Sequence, residues 1–167
     1  MLSISATTRP PRAGERDGVD YFFVDDAEFD RMIQARELLE WVEIYGHRSG
    51  TPAAFLRQER EAGRDVLLEI DVKGAGWVRK RDPGAVLIFL SPPSSAELER
   101  RLRDRGTEDP ELLARRLEQA AWEMDQAVWF DHVVVNDDLA RATAQVAGII
   151  AGHRRSSAPT SEGSSRP

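Results

Sequence analysis

Residues 3–24 read SISATTRPPRAGERDGVDYFFV and combine a short strand, a proline-containing loop and a second strand. The first part alternates, with Leu2, Ile4 and Ala6 on one side and hydroxyl residues on the other, as a half-buried strand requires. Two consecutive prolines then end the strand, because proline cannot donate to a ladder and pushes the preceding residue into extended or turn geometry. The sequence therefore predicts a strand that stops abruptly at a stiff loop.

Arg9 and Arg12 lie on that loop beside a row of hydroxyl residues, which favours an oxyanion clamp. The planar guanidinium forms two parallel charge-assisted hydrogen bonds with a phosphate, and a flexible lysine cannot reproduce them. The alternative is a solvated basic turn, because surface charge usually serves only solvation. For two arginines considered alone, the solvated turn is the better-supported interpretation.

The composition limits the classes of protein that fit. A chain of 167 residues predicts one domain, or one core with a small inserted lobe. The net charge of -6 argues against non-specific binding to nucleic acid or to an anionic membrane. The chain has no cysteine, and its three histidines are too far apart in sequence to suggest a metal cluster. Without a membrane-length apolar run or a signal peptide, we expect a cytoplasmic protein.

A further strand is predicted over residues 39–45, which read LEWVEIY. Its alternation places Glu40 on the same face as Val42 and Ile44. A carboxylate on an otherwise apolar face costs desolvation energy unless it has a partner, so Glu40 is either an edge charge or a ligand contact. Taken alone, the pattern favours the edge charge.

The segment VLLEID, residues 66–71, is apolar on both faces until its carboxyl end. Such strands are usually parallel and central, and ligands of open α/β sheets collect at that edge. Glu69 and Asp71 are therefore candidate site residues. The alternative for Asp71 is a role as the cap of the following helix, and the pattern does not separate the two.

The second half of the chain predicts two further buried strands, residues 85–90 and 132–135, with helices between and after them. Arg101 and Arg105 are four residues apart and share one helical face, which by itself is typical of a solvated surface with weak ion pairs. Residues 153–167 are rich in Ser, Pro and Gly and are expected to be disordered. These patterns together predict an α/β protein with a parallel core sheet flanked by helices.

Several motifs closely resemble guanylate kinase. The loop reads S-x-T-T-R-x-P-R-x-G-E and then G-x-x-Y-x-F-V, as in the family's monophosphate-binding segment. Leu39-Glu40-Trp41, the run 46–51 and the run 69–74 also match, as do R-L-x-x-R-G at 101–106, Arg115-Arg116-Leu117 and V-V-N-D-D at 134–138. The resemblance extends from Ser3 to about Ile150.

The resemblance implies a P-loop-kinase-like parallel sheet with a small GMP-binding lobe and a helical lid. The domain would span residues 1–152, with the lobe at 3–54, the core at 55–99 and 125–152, and the lid at 100–124. The residues implied to bind GMP are Ser5, Arg9, Arg12, Tyr21, Glu40, Ser49, Thr51, Glu69, Asp71 and Gly74. The implied catalytic residues are the lid arginines Arg101, Arg105 and Arg116, and Asn136 is the implied ATP contact.

The implied role of Glu40 has a chemical reason. A carboxylate can accept hydrogen bonds from both the ring N–H and the exocyclic amine of guanine, whereas adenine presents a different edge. GMP is therefore expected rather than AMP. One position departs from the family, because Ser49 stands where a tyrosine is common and keeps only the hydroxyl.

Kinases of this class need a strand, then G-x-x-x-x-G-K-[ST], then a helix, to hold the donor phosphates. The sequence contains no such motif. The resemblance begins after the place where the family carries it, so our hypothesis is an N-terminally truncated guanylate kinase without the first strand, the P-loop and the first helix. Strands 66–70 and 86–90 would then lack their shared neighbour.

The predicted function is ATP-dependent phosphorylation of GMP to GDP in purine nucleotide metabolism, with Mg²⁺ as cofactor and GMP and ATP as partners. The alternative is a non-catalytic guanylate-kinase-like module that binds GMP or a phosphorylated protein. The retained GMP contacts and lid arginines speak against that alternative. A different nucleoside monophosphate kinase is disfavoured by the pair Glu40 and Thr51, which is expected to read guanine.

Overall fold

Two sheets of different size organise the chain, and each lies in its own unit. The computed structural model describes residues 1–104 and 110–157. The chain divides into an N-terminal unit, Met1–Ala85, and a C-terminal unit, Val86–Pro167. Helices and sheets occur in both, so the predicted α/β class is confirmed. The finer boundaries of lobe, core and lid stay a prediction.

The N-terminal unit contains a four-stranded sheet of β1 Ala6–Thr7, β2 Phe22–Phe23, β3 Leu38–Ile44 and β4 His47–Pro52, in the spatial order β2-β1-β4-β3. Strands β1 and β2 are parallel, and the other neighbouring pairs are antiparallel. Tyr45 and Gly46 both have positive φ, as a tight two-residue hairpin between β3 and β4 requires. Its helices are α1 Asp26–Gln34, α2 Ala53–Glu61 and α3 Val72–Arg81.

Local sequence signals set the ends of these helices. The Asp25 side chain accepts from the Glu28 N–H at 2.8 Å and caps α1, as its spacing predicts. Pro52 directly precedes α2, and Gly63, with φ 72°, follows its end. Asp71 caps α3 by accepting from the Gly74 N–H at 2.7 Å. The chain therefore turns at the positions that its capping residues predict.

One face of the sheet packs against α1. Ala6, Phe29, Met32 and Leu38 form the buried apolar cluster there. Trp41 meets the Phe29 ring edge-on, with the ring centroids 6.4 Å apart. The pairing register shifts between Leu38 and Glu40, so Leu38 and Trp41 both lie toward α1 although they are three residues apart. This irregularity leaves Glu40 on the opposite face, where α3 packs against β3.

Two predictions about strands were wrong. Residues 66–71 form no strand, and Leu67 makes only an isolated bridge with Leu2. A ladder needs a partner along its length, and the described chain gives this segment only the first residues of the protein. The predicted alternation of residues 2–6 is also wrong at its start, because Leu2 is exposed and Ser3 is buried. Regular pairing with β2 and β4 begins only at Ala6.

The C-terminal unit contains a two-stranded parallel sheet of β5 Ile88–Ser91 and β6 His132–Val135, which agrees with the predicted parallel core sheet. Helix α6, Leu139–Ser157, includes residues 153–157, so the predicted disordered tail is wrong there. Residues 158–167 lie outside the described chain. In the described ranges, no helix has the length and hydropathy that crossing a bilayer needs. The elements are β5 Ile88–Ser91, α4 Ser95–Asp104, α5 Pro110–Asp125, a 3-10 helix Gln126–Trp129, β6 His132–Val135 and α6 Leu139–Ser157.

Candidate functional site

Glu40 and Thr51 form a buried polar pair on the α3 side of the sheet. They are register partners on β3 and β4, and only 4% and 1% of their surfaces are exposed. The Thr51 hydroxyl donates to Glu40 Oε1 at 2.7 Å. Glu40 is thus neither an edge charge nor solvated, and its second carboxylate oxygen remains directed toward α3.

The first turn of α3 meets that oxygen at Asp71 and Gly74. A Cβ added to Gly74 would lie 2.8 Å from Glu40 Oε2 and 3.2 Å from Asp71 Oδ1, so only glycine allows this approach. Asp71 Oδ1 caps the helix, while Asp71 Oδ2 is buried and has no hydrogen-bond partner in the described chain. The structure thus shows the capping role of Asp71, and its role as a ligand contact stays a prediction. We call Glu40, Thr51, Asp71 and Gly74 the acceptor cluster.

The acceptor cluster is electrostatically unbalanced. Burial raises the pKa of the Glu40 carboxyl, the nearby Asp71 raises it further, and the Thr51 hydrogen bond and the more distant Arg81 oppose them. The buried Glu40 carboxylate and the half-buried Asp71, whose Oδ2 has no partner in the described chain, offer more acceptor atoms than the protein supplies with donors. The cluster is thus suited to a ligand that presents neighbouring N–H groups.

The loop after β1 forms a second group, the arginine clamp, which consists of Arg9, Arg12, Glu15 and Tyr21. Arg9 donates to both oxygens of Glu15 at 2.9 Å and lies 5.3 Å from the Tyr21 ring centroid. Glu15 also accepts from the backbone N–H of Arg12 at 2.7 Å. The bond with Arg9 lowers the pKa of Glu15, and the same bond raises the pKa of Arg9. Arg9 is thus ordered rather than freely solvated.

Thr7 connects the clamp to β4, and sequence reasoning did not identify it. Its side chain accepts from the Ser49 hydroxyl at 2.9 Å and from the Arg9 backbone N–H at 3.3 Å, and it donates to the Arg48 carbonyl at 3.0 Å. Arg48 was also missed, and its guanidinium stacks on Phe29 at 4.9 Å. Thr8, the second of the two threonines before Arg9, accepts a hydrogen bond from the Arg48 backbone N–H through its hydroxyl oxygen. The only sequence signal was the Thr-Thr pair itself.

The structure does not bring every predicted GMP residue into these two groups. Glu69 is exposed, and the Ser5 backbone carbonyl accepts from Phe22. No hydrogen bond in the described chain joins Glu69 or the Ser5 hydroxyl to the acceptor cluster or to the clamp. Their roles stay predictions.

The predicted lid and ATP residues lie in the C-terminal unit. Arg101 on α4 donates to Glu97 at 2.7 Å and to the Asn136 carbonyl at 2.9 Å, so two of these residues are in contact. Arg100 and then Arg101 lower the pKa of Glu97 to about 2. Arg116 is half-buried on α5. Arg105 lies outside the described residues.

The acceptor cluster and the Thr7 connection share one face of the sheet. Ser49 and Thr51 are two residues apart on β4, so their side chains point to the same side and lie about 7 Å apart. The arginine clamp adjoins Ser49 through Thr7, and the other members of the acceptor cluster lie around Thr51. This combination on an α/β scaffold favours a nucleotide-binding protein.

Comparison with known proteins identifies the family. The model of the family described as guanylate kinase matches residues 1–153. A guanylate kinase of Nocardia farcinica is 56% identical over 151 residues, covering 89% of this chain and 78% of the relative. One of Thermus thermophilus is 52% identical over 157 residues, covering 94% and 71%. The chain belongs to the guanylate kinase family.

Solved structures agree with this assignment. The crystal structure of guanylate kinase from Anaplasma phagocytophilum superposes with a TM-score of 0.80 at 34% sequence identity. The superposition covers 91% of this chain and 74% of the Anaplasma phagocytophilum chain. The predicted kinase class is therefore confirmed and favoured over the non-catalytic module.

Proposed function

We propose that the chain binds GMP on the α3 side of its N-terminal sheet, as the acceptor for phosphoryl transfer from ATP that yields GDP. The observation that carries the proposal is the buried pair Glu40 and Thr51 with Asp71 beside it. Two residues from Thr51 along β4, Ser49 bonds Thr7, which in turn accepts from the Arg9 N–H of the arginine clamp. Relatives at about 50% identity that are named guanylate kinase support it.

Guanine complements the acceptor cluster. Its ring N1–H and 2-amino group are adjacent donors, and an ionised Glu40 offers an acceptor to both. The Thr51 hydroxyl donates to one oxygen of Glu40. Because Gly74 has no side chain, no Cβ of α3 crowds the other oxygen. Adenine has no N1–H, so AMP would leave a buried carboxylate unsatisfied, which is costly.

The phosphate of GMP would lie against the arginine clamp. The pairing with Glu15 fixes the Arg9 fork, so little rotamer freedom is lost when an anion arrives. The Arg12 side chain is exposed and makes no hydrogen bond within the described ranges, which leaves its donors for the ligand. Tyr21 adds a hydroxyl and a ring beside Arg9. Ser5 stays a predicted phosphate ligand, whereas the Ser49 hydroxyl donates to Thr7.

Phosphoryl transfer requires cations around the transferring group, because its transition state spreads negative charge over three oxygens. Arg101, Arg105 and Arg116 are proposed for this role, and Asn136 for the ATP side. The 167 residues contain no G-x-x-x-x-G-K-[ST] motif, so they supply acceptor-side and lid residues but no such cradle for the donor phosphates.

Mg²⁺ is the proposed cofactor with ATP. The described residues include no group of three or more metal-ligating side chains, and Mg²⁺ commonly needs only one or two carboxylates besides phosphates and water. Asp71, with its unpartnered buried Oδ2, and Glu69 fit that limited role. The ion would neutralise charge on the transferring phosphoryl group. A cytoplasmic location, without nucleic-acid or membrane partners, completes the proposal.

Calorimetric titration of the chain with GMP and AMP tests the acceptor side directly. We expect saturable 1:1 binding of GMP and at least about tenfold weaker binding of AMP, because AMP cannot satisfy Glu40. Equal affinity for both nucleotides, or no GMP binding, would contradict the proposal. Binding of a phosphoserine peptide without GMP binding would instead favour the non-catalytic module.

A further inference from the structure

The hydroxyl groups of Thr7 and Ser49 form a directed chain. The Arg48 carbonyl can only accept, so the Thr7 hydroxyl proton must point to it, across 3.0 Å. Thr7 Oγ1 can then only accept from the Ser49 hydroxyl, at 2.9 Å. The one proton of Ser49 is therefore used inside the protein.

This proton count matters for phosphate binding. Phosphate oxygens of a nucleotide monophosphate accept hydrogen bonds, so a serine must donate its proton to bind them. Ser49 could do so only by giving up its bond to Thr7, which would leave a lone pair of Thr7 unsatisfied at a site that is 1% exposed. While Ser49 bonds Thr7, its hydroxyl has no proton left for a phosphate oxygen.

Thr7 also holds the start of the arginine clamp. The Arg9 backbone N–H donates to Thr7 Oγ1 at 3.3 Å, at the point where β1 ends and the loop begins. Next to it, the Thr8 N–H donates to the Arg48 carbonyl at 2.9 Å, and Thr8 Oγ1 accepts from the Arg48 N–H at 2.9 Å. These bonds attach residues 7–9 to β4 and set where the Arg9 side chain begins.

We propose that Thr7 is a positioning residue for the GMP phosphate, which acts through Arg9, and that Ser49 supports Thr7 instead of binding the phosphate. This inference rests on the proposed function, because it assumes that GMP is the ligand of the clamp. It assigns a role to Thr7 that its position before Arg9 did not reveal, and it removes Ser49 from the phosphate contacts.

The test compares GMP with guanosine, which has the same base and no phosphate. Three variants are titrated: Thr7→Val, which keeps the shape and removes the hydroxyl, Thr7→Ser, which keeps the hydroxyl, and Ser49→Ala. We expect Thr7→Val to weaken GMP binding roughly five- to tenfold and to leave guanosine affinity within about twofold. Thr7→Ser and Ser49→Ala are expected to stay within about twofold of the unaltered chain for both ligands.

The contrary outcomes are distinct. A tenfold loss of GMP affinity in Ser49→Ala, with guanosine unchanged, would place Ser49 on the phosphate and overturn the inference. Equal losses for GMP and guanosine in Thr7→Val, or no loss, would reduce Thr7 to a structural role. If thermal unfolding shows that Thr7→Val does not fold, the Ser49→Ala result decides. An unaltered chain that does not bind GMP overturns the proposed function, and this inference with it.

Discussion

The acceptor cluster and the arginine clamp border the same sheet but differ in how their charges are compensated. Glu40 is 4% exposed, and no arginine or lysine forms an ion pair with it in the described part of the chain. The Arg9 side chain is 18% exposed and forms a two-point ion pair with Glu15. One region therefore holds an uncompensated buried charge, and the other holds a balanced pair near the surface.

This difference indicates how each region contributes to recognition. An ionised carboxylate that is buried without a cation destabilises the fold, and a ligand with matching donors relieves that cost. An arginine that is already paired near the surface costs the fold little, and its ion pair contributes little to the free energy of folding. We therefore expect selectivity between bases to depend on the acceptor cluster, and attraction of the phosphate to depend on the clamp.

The largest expected effect follows from Glu40→Gln. We expect GMP affinity to fall about a hundredfold, because two hydrogen bonds to a charged acceptor are lost and the amide presents a donor to guanine. Stability at neutral pH should rise or stay unchanged, since the buried charge disappears and the amide can donate to Asp71. Calorimetry and thermal unfolding measure the two effects. Glu43→Gln, an exposed carboxylate on the same strand, is the control and should change neither; a parallel loss of stability and affinity in Glu40→Gln would contradict the comparison.

The clamp should respond to Arg9→Lys. Lysine keeps the charge but loses the fork that contacts both Glu15 oxygens, so we expect about tenfold weaker GMP binding and little change for guanosine. Arg16→Lys, on the same loop and exposed, should bind GMP normally. A guanosine affinity that falls as much as the GMP affinity would show that the clamp and the acceptor cluster are not separate.

Packing between α3 and Glu40 is tested by a matched glycine pair. A Cβ at Gly74 would lie 2.8 Å from Glu40 Oε2, whereas a Cβ at Gly76 on the same helix meets nothing within 4 Å. We expect Gly74→Ala to lower the free energy of unfolding by about 1–3 kcal/mol and Gly76→Ala to raise it by up to about 1 kcal/mol. Denaturant unfolding measures both. Equal behaviour of the two variants would mean that α3 does not approach Glu40.

The smallest expected effect is a pH dependence of stability. Because the folded protein raises the pKa of Glu40, the native state binds a proton more tightly than the unfolded chain, and this contribution to stability is lost as pH rises through the raised pKa. The stability advantage of Glu40→Gln should therefore be present at neutral pH and shrink as pH falls toward the ordinary glutamate range. Urea unfolding at several pH values follows it. An advantage that grows on acidification would reverse the sign of the argument.

Local features were predictable from the sequence. Asp25 caps α1, Pro52 precedes α2 and Gly63 follows its end, and such signals can be read from the sequence because capping and left-handed backbone depend on neighbouring residues. The existence of β5 and β6 as buried strands of a parallel sheet also followed from their apolar composition. The alternation around Glu40 predicted which residues share its face of the strand. It predicted neither the burial of Glu40 nor its hydrogen bond with Thr51.

Features that depend on distant pairing were not predictable. The roles of Thr7 and Arg48 arise from strands that are about forty residues apart, and the residues themselves carry no unusual pattern. The register shift that separates Leu38 from Glu40 is hidden because Leu38 and Leu39 are both apolar. The strand predicted for residues 66–71 failed for the same reason, since apolar composition does not supply a partner.

A comparison of GMP and IMP on two proteins tests most directly whether Glu40 reads the guanine. IMP is GMP without the 2-amino group, so the four affinities of the unaltered chain and of Glu40→Gln for these nucleotides form a double-mutant cycle. We expect the unaltered chain to prefer GMP by about tenfold and Glu40→Gln to show almost no preference, because the carboxylate is the acceptor for that amine. A preference for GMP that survives in Glu40→Gln would contradict the account.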